Sequence, residues 1–120
     1  MRALATGIAL LVAAPLMASE LLAPAFIDFP AGSAALTDPA RLQVLGAVKA
    51  TERHRGDISA YLCALGPPEP PQLRAKRVDA VRRMLRRYQI TKIHDEPKKC
   101  AAMPQGDKPG VLITWWPQWR

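Results

Sequence analysis

Cysteine is scarce in this chain, and the little there is carries no redox or metal signature. Only Cys63 and Cys100 occur among 120 residues. They form no CxxC pair, so thiol-exchange chemistry has no support. Together with His54 and His94 they do not reproduce the ligand spacing of a zinc site, and neither a metal nor another cofactor is expected. Serine, histidine and aspartate are present, yet no pair has a spacing that predicts contact and no nucleophile motif occurs. The sequence therefore argues against an enzyme. After residue 18 no apolar run approaches the ~20 residues that cross a bilayer, so no membrane span is expected there. Internal repeats are absent. Acidic residues are in deficit, 10 against 17 lysines and arginines, which gives a formal charge of +7. Such a surface favours anionic partners without choosing among nucleic acid, lipid headgroups and acidic wall polymer.

The first stretch that is rich in something is the N-terminus. Arg2 gives a positive start, Ala3 to Ala13 is almost wholly apolar and uncharged, and Ala18 places a small residue before Ser19. Residues 1–18 read as a cleaved secretory signal. The apolar run is short for a retained anchor, and no cysteine lies near the cleavage point to carry a lipid. Cleavage leaves 102 residues and lowers the formal charge to +6. That length suffices for one hydrophobic core and not for two domains. Export predicts an oxidising compartment, in which Cys63 and Cys100 pair as a disulfide. Closing a loop of about 38 residues is worth about 4 kcal/mol in the chain-entropy estimate. Export also removes most of the opportunity for nucleic-acid binding.

Residues 19–24 read as a lead-in. Ala25 to Phe29 is a compact apolar run, read as a first strand, and Pro30-Ala31-Gly32-Ser33 ends it. Asp38-Pro39 is a helix start, with Asp38 as cap and proline at the first helical position. Leu42, Leu45 and Val48 then recur at helical spacing to about Glu52. Ile58 to Leu65 is a second strand, apolar enough to be covered on both faces. Gly66-Pro67-Pro68-Glu69-Pro70-Pro71 is a stiff crossover. A long helix free of glycine and proline spans 72–88. Ile90 to His94 reads as a third strand and Val111 to Trp115 as a last one. The order is strand, helix, strand, helix, strand, strand: an α/β chain with helices on one face of a mixed sheet.

On a wheel of residues 72–88, Leu73, Ala80, Val81, Met84 and Tyr88 share one side, with Val78 and Leu85 at its edge. Arg74, Lys76, Arg82, Arg83, Arg86 and Arg87 spread over the rest. Arg77 is misplaced, because it falls in the middle of the apolar stripe. A guanidinium there must snorkel to solvent, pair internally with Asp57, Asp79 or Glu69, or meet an external anion. Its place early in the helix favours an anion, and its fork suits a carboxylate.

The stretch from Phe29 to Ile93 resembles the OmpA-like peptidoglycan-binding family. The likeness rests on the order and spacing of three segments: Gly32-Ser33-Ala34-Ala35-Leu36-Thr37, then Arg77-Val78-Asp79-Ala80-Val81-Arg82-Arg83-Met84-Leu85 preceded by Leu73, then Tyr88-Gln89-Ile90-Thr91-Lys92-Ile93. It covers roughly 65 residues, and up to about 90 with the last strand. The resemblance implies a βαβαββ two-layer sandwich over residues 25–116, with 117–120 as a tail. It also implies a periplasmic location and an arginine, here Arg77, that holds a stem-peptide carboxylate. The family's ligand-binding aspartate has no counterpart, since Leu62-Cys63-Ala64-Leu65 stands where it would lie. The crossover is shortened and rebuilt with proline, and Gly110 to Trp115 carries no arginine.

These departures shape the functional expectation. The sequence is read as a periplasmic OmpA-like structural or protein-interaction module of a cell-envelope assembly, with peptidoglycan binding reduced or lost. The alternative is a peptidoglycan-binding protein that holds the carboxylate through Arg77, helped by Arg74 and with Glu69 near the pocket. An envelope protein is the expected partner, docking on the tryptophan-bearing tail of Trp115, Trp116 and Trp119, with Trp116 and Trp119 as its interaction residues; the alternative is that Trp115 closes the core and the other two are incidental.

Overall fold

The computed structural model describes residues 22–54, 58–95, 100 and 106–117. The export-signal reading, Asp57 and Trp119 lie outside the described residues. Within them the chain runs β1 (Ala25–Asp28), α1 (Asp38–Lys49), β2 (Ile58–Leu65), α2 (Pro71–Arg87), β3 (Ile93–His94) and β4 (Gly110–Pro117). A single 3-10 turn, Glu52–His54, follows α1.

The sheet order is β1-β4-β2-β3. β4 lies antiparallel to β1 and β2, and β3 lies parallel to β2, so the sheet is mixed. Both helices cover one face, giving the two-layer βαβαββ sandwich. Period-two alternation aims Ile58, Ala60 and Leu62 of β2 and Val111, Ile113 and Trp115 of β4 at the helices. They meet Val44 and Val48 of α1 and Val78, Val81 and Leu85 of α2 in one core. α1 is held to the edge strand by a reciprocal clamp. The Asp28 N–H donates to Gln43 Oε1 at 2.8 Å, and Gln43 Nε2 donates to Asp28 Oδ2 at 2.7 Å.

Several boundaries differ from expectation. The cap of α1 is Thr37 rather than Asp38: its hydroxyl accepts from the Ala40 N–H at 3.2 Å, and Asp38 sits in the first turn beside Pro39. α1 ends at Lys49. Ile90 is not in a strand. The Ile90 N–H donates to the Leu85 carbonyl and the Gln89 N–H to the Arg86 carbonyl, both at 3.1 Å, with Gln89 at φ +72°. This is a Schellman closure of α2, and buried Ile90 and Leu85 give its apolar contact. β3 shrinks to two residues in consequence. The most buried residues of α2 are Arg77, Val78, Val81 and Leu85. Met84 and Tyr88, placed in the stripe by the wheel, are half-buried: they pack against the core at its edge and border the groove beside α1.

The outer face of the sheet carries the alternate residues. Cys63 is there, 5% exposed, and is bonded to Cys100 with Cα atoms 5.2 Å apart. The disulfide ties the β3–β4 connection to β2.

Candidate functional site

The residues that sequence reading singled out converge only in part. Arg77 projects from the second turn of α2 into the layer between helix and sheet, and it is fully buried, 0% exposed. Burying a guanidinium in apolar surroundings is unfavourable unless its donors are met. Here four hydrogen bonds meet them. Nη1 donates to Glu69 Oε1 at 2.5 Å and Nη2 to Glu69 Oε2 at 3.0 Å, the parallel fork of a bidentate pair. Nε donates to the Ser33 carbonyl at 2.7 Å, and Nη2 also donates to the Pro30 carbonyl at 3.1 Å. The guanidinium carbon stands 5.7 Å from the centroid of the Phe29 ring, within cation–π range.

Glu69 is brought to Arg77 by the crossover. Gly66 adopts φ +127° and packs so tightly on Lys108 and Pro109 that a Cβ would lie 2.7 Å from the Pro109 Cα. Pro70 and Pro71 then start α2 without a side-chain cap. Arg74, one turn before Arg77, donates to the carbonyls of Gly66 and Pro67 at 3.1 and 3.0 Å and so braces the same loop. The Glu69 side chain is 13% exposed. Its Oε2 also accepts from the Gly32 N–H at 3.0 Å. The hydrogen bond from Arg77, then that from Gly32, and the positive charges of Arg77 and Arg74 pull its pKa from 4.5 to about 2, against the opposing effect of burial.

Of the internal partners that lie among the described residues, Glu69 and Asp79, it is Glu69 that holds Arg77. Asp79 is engaged elsewhere, with Arg83 at 2.5 Å and Arg82 at 3.4 Å. Beside the pair lies an open cleft of about 730 Å³ whose wall includes Pro67, Pro68, Glu69, Arg74 and Asp107. Arg77 does not line it.

Trp116 belongs to a separate place. It is 56% exposed on the outer sheet face. Tyr61 meets it edge-on at 6.4 Å and stacks on His94 at 4.9 Å. Trp116 pairs with Ser59, near the start of β2, whereas the crossover follows Leu65 at its end. Trp115 is buried in the core. No group of three histidine, cysteine, aspartate or glutamate side chains that could hold a metal occurs among the described residues, and no helix among them is long and apolar enough to cross a membrane.

Sequence reasoning missed Phe29, Gly32, Pro30 and Ser33 as the other half of the Arg77 pocket. Three of them act through backbone atoms, which leave no trace in residue type.

The architecture is thus a helix-covered mixed sheet with an arginine–carboxylate pair enclosed at the head of its second helix. The helix-covered mixed sheet recurs in solved structures, among them two of Helicobacter pylori MotB. The C-terminal domain of Helicobacter pylori MotB (its residues 125–256) matches with a TM-score of 0.59 and 13% identity, over 76% of this chain and 83% of that one. The periplasmic domain of the same protein (its residues 97–256) matches with a TM-score of 0.56 and 14% identity, over 76% and 77%. At this identity the likeness is one of fold. No protein-family profile and no curated protein matches the chain.

Proposed function

We propose that this chain is an exported, periplasmic structural or protein-interaction module of the cell envelope that keeps a wall-binding type of fold but fills its own anion site. The observation that carries the reading is the closed valence of Arg77. Its side chain is 1% exposed and its fork is occupied by the Glu69 carboxylate. A stem-peptide carboxylate would have to displace an internal one that is already tethered and supported by the Gly32 N–H. The periplasmic placement rests on the N-terminal signal pattern, on a disulfide suited to an oxidising compartment, and on the fold shared with a MotB periplasmic domain. The exposed Trp116, met edge-on by Tyr61, which itself stacks on His94, supplies an aromatic surface of the kind that anchors protein partners.

The test is co-sedimentation of the folded, oxidised chain with purified peptidoglycan sacculi. The module reading expects the protein to stay in the supernatant. Retention that is lost in the R77A variant would instead favour recognition of a stem-peptide carboxylate by Arg77. Circular dichroism of the variant separates loss of binding from loss of fold.

A further inference from the structure

We propose that the groove between α1 and α2 binds a medium-chain fatty acid, with the alkyl chain along the groove and the carboxylate on its arginine rim. The groove holds about 560 Å³, within the ~300–1,000 Å³ typical of small-molecule sites. Its apolar lining comes from Leu36 in the segment before α1, Leu45 of α1, Ala80 and Met84 of α2, and Tyr88 at the C-cap that follows α2. Leu42 stands on the α1 side, 68% exposed. Only Trp116, on the opposite layer, is a comparably open large hydrophobic among the described residues.

Charge selects the occupant. Arg41 lines the groove from α1, and Arg83 and Arg87 line it from α2, with no acidic side chain among the lining residues. Arg83 is held by Asp79. Arg41 and Arg87 have no ion pair among the described residues. Ala80, Met84 and Tyr88 follow one another at four-residue spacing along α2 and its C-cap, and Arg83 and Arg87 do the same on the adjoining row. An apolar rail therefore runs beside a basic one. A neutral apolar ligand would cover the first and leave the second unmet. A carboxylate on an alkyl chain satisfies both, its head taking charge-assisted hydrogen bonds from unpaired guanidinium groups. The recess between two helices suits one chain better than a bilayer surface. The groove is distinct from the Arg77 pocket, so the proposal stands or falls independently of the function proposed above.

Methyl-detected NMR of the folded chain, titrated with decanoate below its micellar concentration, tests the assignment. Saturable shifts centred on Leu42, Leu45 and Met84 are expected. Decanol should bind about tenfold more weakly, and the R41E/R87E double variant should lose decanoate affinity by about tenfold or more, as loss of charged hydrogen bonds requires. Equal affinity for decanol and decanoate overturns the proposal, as does the absence of saturable shifts or their concentration around Trp116. Flotation of the chain with phosphatidylglycerol vesicles, without any response to decanoate, also overturns it and assigns the basic face to a bilayer.

Discussion

Arg77 is the residue on which the interior is organised. It joins the β1–α1 segment, through the carbonyls of Pro30 and Ser33, to the crossover, through Glu69. Removing a buried partner of this kind leaves the remaining polar groups unmet, and R77A is expected to cost about 3 kcal/mol or more in denaturant unfolding. R77K keeps the charge but not the planar fork, and should recover only part of that loss. Glu69 gives the pair its pH dependence. Because its folded pKa lies near 2 and its ordinary value is 4.5, its contribution is fully present above about pH 4.5 and is lost as pH falls toward 2. Asp79, also held below its ordinary value by Arg83, acts in the same direction. In E69Q the acid-side decline of thermal midpoint should be shallower than in the native chain but still present. An unchanged acid profile in E69Q would show that the pair is not formed. The misplacement of Arg77 was readable from helical periodicity alone. Its partner was not, because Glu69, Asp79 and Asp57 were equally plausible until the path of the crossover was known.

The elements themselves were more legible than their ends. Periodicity and proline breakers fix where β2, α1 and α2 lie, and proline marks the entry of α1 correctly, whereas Pro71, read as the end of the crossover, is the first residue of α2. The exit of α2 was hidden because the left-handed position is filled by Gln89, where glycine is the usual signal. Ile90 therefore looked like the start of a strand, although its burial comes from closing the helix. A left-handed conformation costs a non-glycine residue about 1–2 kcal/mol, offset in part by the greater freedom of glycine in the unfolded chain. Q89G is expected to stabilise the chain by about 0.5–1 kcal/mol, measured by urea unfolding. Gly66 should behave oppositely. With φ +127° and Pro109 against it, G66A strains both the backbone and the crossover, and should lower stability while loosening Glu69. The division of Trp115 from Trp116 follows from strand alternation, which buries one and exposes the next.

At the scale of the molecule, two devices hold the layers in register: the Arg77–Glu69 pair between helix and crossover, and the Cys63–Cys100 bond on the far side of the sheet. The bond closes a separation of 37 residues. The C63A/C100A double variant should lose up to about 4 kcal/mol on the chain-entropy estimate, checked by comparing unfolding of the variant with that of the oxidised native chain. The chain's architecture was legible because apolar periods switch cleanly between strand and helix. What it does was less legible, because the path of the crossover decides whether the arginine faces a ligand or its own chain. The most direct measurement is a carbon-13 NMR titration of the Glu69 carboxyl from neutral pH downward in the folded protein. An internal pair predicts no titration through the ordinary carboxylate range and a midpoint at about 2, whereas a midpoint near 4.5 would mean that Arg77 is free for another anion.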